Sequence, residues 1–445
     1  MTARIEGRLS RATLRGNLRV AASALLASLC AASMAKADME PAPTVKSLTT
    51  CPTTNVKTIK IGILAALTGP LAADTNDMVN AAKMAGDDLA AAGGVCGPGA
   101  RYKFEFVQAD TEGQRNDAVV TGFRRLNAEP DLNFIMTPYA STSNFEEKLM
   151  AQTKMVYLLS AGSASTRDII SPDPSAFPTV WSRVPSYDGY NTDLPPLLDK
   201  LIADGSLKVP SKTVYIIGSD DPYGTTIADG LADTFTKLGW KIVGREKVPF
   251  QSVTDWRTQL AHIQAAKPGV IVNTEWSPGG DATFFNQFIE QPTDSVLFLQ
   301  YAPSIPEFDK LVHNKATGVI YDMLGGAIDS RPDTKAIKAE YEKRYGPGGY
   351  FSVAGYSDVM LYALCINKGN DPADRLAIGK CIGSIDFDTP AGRMKFDQTT
   401  HLAMHGDAFM PTLFYQVGEN GENHIISPDN VADAKFKMPY WMTSK

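Results

Sequence analysis

The sequence predicts an α/β protein built as two lobes, each with a mostly parallel sheet. Apolar runs of strand length alternate with helical patterns, and such alternation is typical of parallel sheets with right-handed crossovers. The alternation occurs as two separate series. The chain has 445 residues, of which 44% are hydrophobic and 21% charged, which is enough for two domains with their own cores.

The first 37 residues have the features of a signal peptide. Five arginines precede a short apolar segment that begins at Val20, and the tripeptide at 35–37 fits an A-x-A cleavage site. The apolar segment is too short to span a bilayer comfortably. Leu29 before Cys30 does not fit a lipid-attachment site. We therefore expect cleavage near Ala37 and a soluble protein in the periplasm.

The chain that remains after cleavage is acidic. Residues 1–37 hold six of the 43 Lys and Arg residues and one of the 49 Asp and Glu residues, which leaves 37 basic and 48 acidic residues and a net charge of −11. A charge of this size argues against nucleic acid and against anionic membranes as partners. We expect a monomer.

Four cysteines remain in the exported chain, and an even number in that compartment favours disulfides. They are Cys51, Cys96, Cys365 and Cys381. The pairing that is local in sequence joins Cys51 to Cys96 and Cys365 to Cys381, although other connectivities stay possible. No C-x-x-C spacing supports a zinc site, so we expect no metal.

The elements follow in order from a Pro- and Thr-rich leader at 38–56, which we predict to be extended. The first series consists of TIKIGILAAL, a helix from Thr75 to Ala92, YKFEFVQAD, QRNDAVVTGFRRLNA, NFIM and MVYLLS. The second series consists of TVYIIGSDD, GTTIADGLADTFTKLG, KIVGREKV, WRTQLAHIQAA, GVIVNTEW, ATFFNQFIE and VLFLQYA. The last third adds two helices, DTKAIKAEYEKRYG and FSVAGYSDVMLYALCINKG, and a hairpin around Gly418 and Gly421.

Ligands of open parallel sheets bind beyond the carboxyl ends of the strands, so the loops between strand and helix are the candidate site. After the strand at 133–136 the chain continues as TPYASTSN, with Ser141, Thr142 and Ser143 before a helix that begins near Asn144. These hydroxyls could cap the helix. Alternatively, they and the backbone N–H groups of the helix start could hold an anion.

Two loops together suggest a site for one carboxylate. YASTSN and LSAGSAST follow neighbouring strands and offer small hydroxyl residues, which can hold an anion through charge-assisted hydrogen bonds. Ala140, Gly162 and Ala164 are small enough to let a ligand approach the backbone. Aromatic walls are typical of small-molecule pockets, although each aromatic could equally be a core residue. The candidates for such a wall are Tyr139, Trp276, Tyr301 and Phe351.

Other chemistries have little support. G-x-G-x-x-G, the P-loop pattern and the G-x-S-x-G elbow are all absent, so no nucleotide or other cofactor is expected. His401 and His405 are four residues apart in a turn-rich stretch without an accompanying carboxylate pattern, which favours surface or loop histidines over a metal site. We therefore expect a binding protein and not an enzyme.

Several segments, in their order and spacing, resemble type I periplasmic solute-binding proteins of ABC transporters, in the leucine/isoleucine/valine-binding and amide-binding group. They are IKIGILAALTGPLA with AAKMAGDDLAAAGGVCG, VQADTEGQRNDAVVTGFRRL, IIGSDDPYGTTIADGL and FQSVTDWRTQLAHIQAAKPGVIV. The resemblance covers about residues 57–417. It implies two Rossmann-like lobes that close on a ligand and are joined by a hinge of three chain crossings.

Carried onto this chain, the resemblance puts the crossings near Arg183-Val184, near Asp322-Met323 and at 401–406. Lobe 1 then consists of 57–183 and 323–404. Lobe 2 consists of 184–322 and 405–445.

The resemblance also implies which residues hold the ligand. They are Tyr139, Ala140, Ser141, Gly162, Ser163 and Ala164 in lobe 1, with Tyr223 and Trp276 in lobe 2 and Phe351 as an aromatic wall. The family often has threonine where Ala164 stands, and Ser163 or Ser165 could take its place. Members that bind α-amino acids have an acidic residue in the region aligned with Tyr301-Ala302, where this chain has none. Either Glu275 or Asp74 replaces it, or the ligand lacks an α-ammonium group.

The expected function is capture of a small carboxylate-bearing solute, delivered to an ABC permease of the inner membrane. The solute could be similar to a branched-chain amino acid, an amide or an aromatic acid. Two alternatives are a periplasmic protein that senses a ligand for a receptor and a secreted hydrolase.

Overall fold

The computed structural model describes residues 39–69, 71–139, 141, 143–160 and 164–442. The predicted signal peptide lies outside the described residues. The chain divides into a short unit of residues 1–41 and a large unit of residues 42–445, and all helices and strands given below belong to the large unit. None of the described helices has the length and apolar composition that crossing a membrane requires.

The sequence predicts an extended leader, but the leader contains a short helix, α1 (Val45–Thr49). Thr44 and Ser47 form a reciprocal capping box, in which the backbone N–H of each donates to the side-chain oxygen of the other at 2.9 and 3.1 Å. This box satisfies donors that a helix start would otherwise leave unpaired. A disulfide between Cys51 and Cys96, with an S–S distance of 2.06 Å, ties the leader to the first sheet.

The first sheet has six strands in the described part of the chain. They are β1 (Val56–Ala65), β2 (Val95–Gly97), β3 (Ala100–Asp110), β4 (Leu132–Thr137), β5 (Val156–Leu159) and β6 (Val180–Ser182). Their order is β2-β3-β1-β4-β5-β6, and every pair except β2 with β3 is parallel. We call this sheet and the elements packed on it lobe one.

The helices of lobe one come from two separate parts of the chain. They are α2 (Ala72–Ala91), α3 (Asn116–Asn127), α4 (Glu146–Thr153) and α5 (Ala164–Ile170) from the first series and, later, α12 (Pro332–Tyr345), α13 (Phe351–Asn367) and α14 (Arg375–Gly383). Helix α13 packs closely on α2, where a Cβ on Gly355 would lie 2.6 Å from the carbonyl oxygen of Met78. A small hairpin, β12 (Asp386–Thr389) and β13 (Gly392–Lys395), completes this lobe.

The second sheet has seven strands among the described residues. They are β7 (Thr213–Ser219), β8 (Lys241–Val248), β9 (Val270–Asn273), β10 (Val296–Leu299), β11 (Ile320–Leu324), β14 (Thr412–Val417) and β15 (Asn423–Ser427). Their order is β15-β14-β11-β10-β9-β7-β8; β14 runs antiparallel to both β11 and β15, and the remaining pairs are parallel. The predicted late hairpin is β14–β15.

This second sheet and its helices form lobe two. The helices are α6 (Asp188–Thr192), α7 (Leu194–Ala203), α8 (Pro222–Lys237), α9 (Arg257–Ala266), α10 (Pro278–Phe288) and α11 (Pro306–Leu311). Short 3-10 turns occur at 174–176, 302–304, 419–421 and 440–442. Both sheets are covered by helices on both faces, so their central strands are apolar runs without alternation.

The chain passes between the two sheets three times: after β6, after β11 and after β13. The predicted second boundary at 322/323 falls inside β11, which runs to Leu324 because its pairing with β14 continues to Thr412. The first and third crossings lie side by side, since the backbone N–H of Ser182 donates to the carbonyl of His401 at 2.9 Å.

Each lobe has its own apolar core. In lobe one, Phe134 on β4 stacks on Tyr362 of α13 with ring centroids 4.4 Å apart, and both rings are fully buried. Burying one such side chain stabilises a fold by about 1.5–3 kcal/mol. A second disulfide, Cys365–Cys381 with an S–S distance of 2.13 Å, joins α13 to α14. Both disulfides therefore have the sequence-local pairing.

Candidate functional site

A cavity of about 120 Å³ lies between the two sheets, at the carboxyl ends of their parallel strands. Its walls come from the loops after β4 and β5 in lobe one and from the loops after β7, β9 and β10 in lobe two. Open parallel sheets bind ligands at this edge. A concave cleft with aromatic walls is also typical of small-molecule sites.

Many of the residues that the sequence assigned to a site line this cavity. They are Tyr139, Ser141, Ala164, Ser165, Tyr223, Trp276, Tyr301 and Phe351. Ala140, Gly162 and Ser163 lie outside the described residues. Asp74 and Glu275 are 2% and 1% exposed and lie behind the wall instead of among its lining side chains.

Sequence reasoning missed a further set of lining residues. They are Gln114, Asn144, Ser160, Val184, Tyr187, Tyr190, Asp221, Pro222, Thr226, Met323, Leu324 and Tyr350. Val184, Tyr187 and Leu324 flank the chain crossings, which must border any cleft between two lobes. The predicted crossings were therefore a signal that could have identified them.

Ser141 lines the cavity, but it does not cap α4. The N-cap of α4 is Phe145, which makes no side-chain capping bond. The hydroxyl of Ser141 instead donates to the buried carboxylate of Glu146, and Tyr157 on β5 donates to the other carboxylate oxygen at 3.2 Å. Burial raises the pKa of Glu146 to about 7, against the opposing effect of these hydrogen bonds.

A second carboxyl, that of Glu147, is buried beside the first. Thr166 on α5 donates to it at 2.7 Å, and the side-chain amide of Asn144 donates to Thr166 at 2.5 Å. Burial raises the pKa of Glu147 to about 8, and the nearby charge of Glu146 adds to the effect. The loops at the lobe-one wall are therefore held from behind by two adjacent acidic groups.

Asp74 joins the two lobes through hydrogen bonds. Its Oδ2 atom accepts from the hydroxyl of Tyr139 in lobe one at 2.7 Å and from the hydroxyl of Tyr301 in lobe two at 2.8 Å. Burial raises the pKa of Asp74 to about 7. The Asp74 carboxylate is therefore the hydrogen-bond acceptor for both tyrosines. Neither tyrosine O–H group is left to donate to a ligand.

The backbone at Tyr301 is strained. Tyr301 has φ 66° and ψ −49°, and the N–H of Ala302 donates to the carbonyl of Gln300 at 2.7 Å, which makes Tyr301 the centre of a γ-turn. Non-glycine residues adopt such a conformation at a cost of about 1–3 kcal/mol and do so mainly at functional sites. Here the turn directs the Tyr301 ring towards Asp74.

An aromatic cluster centred on Trp276 forms part of the cavity wall. Trp276 makes edge contacts with Tyr139, Tyr223 and Tyr301 at centroid distances of 6.2, 5.4 and 6.2 Å. Phe250 stacks on the far side of its ring at 4.7 Å. The cluster draws rings from both lobes, so its packing depends on their approach.

Three tyrosine hydroxyls at the cavity accept hydrogen bonds from the protein. Tyr350 accepts from Arg183 at 2.6 Å, Tyr190 accepts from the N–H of Leu324 at 2.9 Å, and Tyr223 accepts from Gln300 at 3.0 Å. A phenol carries one proton of its own as well as its lone pairs. These three hydroxyls can therefore each donate to a bound solute.

The acids of lobe two are engaged by the protein. Glu275 accepts from the hydroxyl of Ser277 at 2.8 Å and from the N–H of Gln251 at 2.9 Å, and burial raises its pKa to about 7. Asp221 lines the cavity, but its carboxylate caps α8 by accepting from the N–H groups of Tyr223 and Gly224 at 2.9 and 3.2 Å. Neither carboxylate is placed as a dedicated partner for a ligand ammonium.

A buried ion pair lies behind the hinge side of the cavity. Arg183 and Asp358 are 2.8 Å apart and almost fully buried, and Ser160 donates to Asp358 at 3.1 Å. Burial raises the pKa of Asp358 to about 6, although the charge of Arg183 opposes the rise. The pair positions Ser160 and Tyr350 at the cavity wall. The positive charge of Arg183 and the negative charge of Asp358 neutralise each other.

The histidines lie away from the cavity. His401 lies in a loop, as one of the two expected placements had it, and it is buried because its ring stacks on Trp181 at 4.0 Å and its Nδ1 atom contacts the carbonyl of Val180 at 3.1 Å. His405 contacts Thr412 through Nε2 at 3.0 Å. In the described part of the chain, no group of three or more His, Cys, Asp or Glu side chains could hold a metal ion.

Comparison with known proteins gives a family match along most of the chain. Residues 58–422 match the family described as periplasmic binding protein. Leu/Ile/Val-binding protein homolog 8 of Brucella abortus is 21% identical over 406 residues, covering 85% of this chain and 93% of the relative. The leucine-, isoleucine-, valine-, threonine- and alanine-binding protein of Pseudomonas aeruginosa is 23% identical over 347 residues, covering 78% and 87%.

Solved structures share the fold. A protein of Silicibacter pomeroyi assigned as a branched-chain amino acid ABC transporter is 26% identical and superimposes with a TM-score of 0.78, covering 87% of this chain and all of that one. An ABC transporter substrate-binding protein of Desulfitobacterium hafniense in complex with Leu has 18% identity and a TM-score of 0.63, covering 83% and 100%. The predicted fold class, two α/β lobes of the type I periplasmic binding protein kind, is confirmed.

Proposed function

The chain belongs to the periplasmic binding protein family, and from this premise we propose that it is the substrate-binding protein of an ABC importer. It captures a small carboxylate-bearing solute in the cavity between its lobes, closes on it by movement at the three crossings, and presents the closed form to a membrane permease. Hinge closure is favoured because a solute contacts both walls only when the lobes are shut.

One observation carries the proposal: the cavity draws its wall from both sheets, with Ser141 on one side and Tyr223 and Trp276 on the other. The names of the relatives support amino acids and their analogues as the ligand class, since two are named for leucine, isoleucine and valine. One neighbour contains Leu. A protein that carries solutes to a permease requires a site that opens to admit the solute and closes around it.

The acidic side chains at the cavity, which are already hydrogen-bonded within the protein, narrow the class of ligand that we propose. Among the described residues, Asp221 is the acid that lines the cavity, and it caps a helix. Tyrosine hydroxyls supply donors on the hinge side. These features favour a carboxylate without an α-ammonium group, such as an aromatic or branched aliphatic acid, or an amide, over an α-amino acid.

The N-terminal segment supports export. We propose that residues 1–37 direct the chain to the periplasm and are removed near Ala37. Mass spectrometry of the protein recovered from the periplasm of a bacterial host should give a chain that begins at or near Asp38. Full-length protein in the cytoplasm would contradict this part of the proposal.

A thermal-shift screen tests the ligand class. Amino acids, amides, ureas, aromatic acids and branched aliphatic acids are each added to the purified protein. A solute at 100 times its dissociation constant adds about 2.7 kcal/mol to the free energy of unfolding. We expect stabilisation by an acid or amide, and less by the matching α-amino acid. The absence of stabilisation by every class would contradict the proposed function.

A further inference from the structure

The hydrogen bond between Ser141 and Glu146 decides what Ser141 can offer to a solute. A serine hydroxyl has one proton and two lone pairs. In the structure that proton is donated to the carboxylate of Glu146. Ser141 therefore faces the cavity with lone pairs only, and in this state it can accept from an N–H group but cannot donate to a carboxylate.

Glu146 has no charged partner that would fix it as a carboxylate. It is fully buried, and no ion pair joins it to a basic side chain in the described part of the chain. The titratable groups that face it are Tyr157 on β5, which donates to it, and Glu147 on its own helix, whose pKa it raises. Burial raises the pKa of Tyr157 well above its ordinary range, so that hydroxyl stays protonated and continues to donate to Oε1.

Protonation of Glu146 would reverse the hydrogen bond. A protonated Oε2 becomes a donor to the oxygen of Ser141, while Oε1 continues to accept from Tyr157. The proton of Ser141 is then available to the cavity. The exchange can pass through Ser141 itself, because its oxygen takes up a proton from the cavity side as it gives its own proton to Oε2. No bond other than O–H bonds changes.

We propose that Glu146 is a specificity-determining residue that sets the hydrogen-bonding polarity of Ser141. A carboxylate binds with uptake of one proton by Glu146, whereas a ligand that presents an N–H group to Ser141 binds the ionised form and takes up none. This inference rests on the proposed function, since it needs the solute to contact Ser141.

Electrostatics favours the same coupling. Two adjacent carboxyls, Glu146 and Glu147, are buried without a cation between them, and a carboxylate in the cavity brings a further negative charge towards them. Like charges at short distance disfavour ionisation. Because the pKa of Glu146 already lies at about 7, a further rise of about two units on binding is enough to hold the proton at pH 8, where the uptake is measured.

Calorimetry measures the proton directly. 4-Methylpentanoate and 4-methylpentanamide have the same shape, and one carries a carboxylate while the other carries an amide. Each is titrated at pH 8 into the exported protein in phosphate and in Tris, whose heats of ionisation differ. The dependence of the binding heat on the buffer gives the protons taken up. We expect close to one for the acid and close to none for the amide.

Glu146→Gln is the decisive variant. The amide carbonyl of the new side chain accepts from Tyr157, so its NH₂ group faces Ser141 as a permanent donor. Between pH 7 and 9, the affinity of the unmodified protein for the acid should fall by up to about tenfold per pH unit, the limit for one linked proton. In the variant the affinity should not depend on pH, and proton uptake should be absent. Asp309→Asn, at a partly buried carboxyl of raised pKa in lobe two that does not line the cavity, is the control and should keep the proton uptake.

An independent measurement follows the Glu146 carboxyl itself. Carbon-13 NMR of the Glu146 carboxyl should show a titration midpoint near 7 in the free protein and a higher midpoint with 4-methylpentanoate. A midpoint at the ordinary glutamate value would overturn the inference. So would binding of the acid with unchanged proton uptake in Glu146→Gln, and in that case the proposed function would stand. If no acid of the screen binds, the inference fails, and if no solute of any class binds, the proposed function fails with it.

Discussion

At the scale of single residues, Ser141 is the contact on which the proposed carboxylate capture depends most in lobe one. It is 3% exposed, lines the cavity and is held by Glu146 from behind. It follows β4, and the second hydroxyl-rich loop follows the neighbouring strand β5, so Ser141 lies next to both loops of the lobe-one wall.

Ser141→Ala should weaken binding of a carboxylate by about 1–3 kcal/mol, because a buried charged acceptor loses one hydrogen bond. Isothermal titration calorimetry with the best solute from the screen measures the change. Ser143→Ala is the matched control, since Ser143 is two residues away and exposed. Equal affinity of the Ser141→Ala and unmodified proteins would remove Ser141 from the site.

Tyr301 is the other residue whose side chain makes a testable contact, because its hydroxyl crosses between the lobes to Asp74. Tyr301→Phe deletes that bond and keeps the ring in the aromatic cluster. We expect a loss of about 1–3 kcal/mol in solute affinity, since a bond made only in the closed form disappears. Calorimetry measures the loss.

Tyr345→Phe serves as the control for Tyr301→Phe, because Tyr345 is 40% exposed. Small-angle X-ray scattering adds a second readout: without solute, the Tyr301→Phe variant should have a larger radius of gyration than the control. Identical affinity and identical scattering of the two variants would contradict a closing role for the Tyr301 contact.

At the scale of elements, most strands and helices were predictable because apolar periodicity identifies them without tertiary information. The run KIVGREKV is β8 (Lys241–Val248) to the residue, and the helix expected from Thr75 to Ala92 is α2 (Ala72–Ala91). Helix α1 was missed, because a five-residue helix depends on its capping box more than on periodicity.

The site was predictable only in part, for a physical reason. Strand ends reveal which loops meet, so Ser141 could be placed at the cleft, and the family resemblance added Tyr223. The orientation of an acid depends partly on residues that are distant in sequence. Asp74 and Glu275 were candidate ammonium ligands, but Asp74 accepts from the hydroxyl of Tyr301 and Glu275 accepts from the N–H of Gln251. Arg183 and Asp358, which form the buried ion pair, are likewise 175 positions apart in the sequence.

The leader depends on the disulfide between Cys51 and Cys96, which holds α1 against the edge strand β2. Replacing both cysteines with alanine should lower the free energy of unfolding by about 2–4 kcal/mol, since the unfolded chain regains the freedom of a long loop. Urea denaturation of the two proteins measures the difference. Equal midpoints for the variant and the unmodified protein would show that the leader is held by other contacts.

At the scale of the whole molecule, buried acids make stability depend on pH. Burial raises the pKa of Asp74, Glu146 and Glu275 to about 7 and that of Glu147 to about 8. The folded state therefore binds more protons than the unfolded state between the ordinary carboxyl pKa and these values. The associated stability is fully present below the ordinary value and is lost as the pH rises through the raised one.

We expect the free energy of unfolding to fall by at least about 2 kcal/mol between pH 5 and pH 8, since one pKa unit corresponds to about 1.4 kcal/mol. Urea denaturation across this range measures the slope. Glu147→Gln should flatten it, whereas Glu419→Gln, at an exposed site, should not. Stability that increases from pH 5 to pH 8 in the unmodified protein would contradict the buried, uncompensated state of these acids.

The central proposal for the whole molecule is that its two lobes close a largely aromatic cavity around a carboxylate. The most direct measurement is a crystal structure of the exported protein grown with the acid that stabilises it most. We predict electron density for the acid between the two sheets, with a carboxylate oxygen within about 3 Å of the Ser141 hydroxyl and the aromatic wall of Trp276 against its apolar part. Density for the acid outside this cavity, with the cavity empty, would contradict the proposed mode of capture.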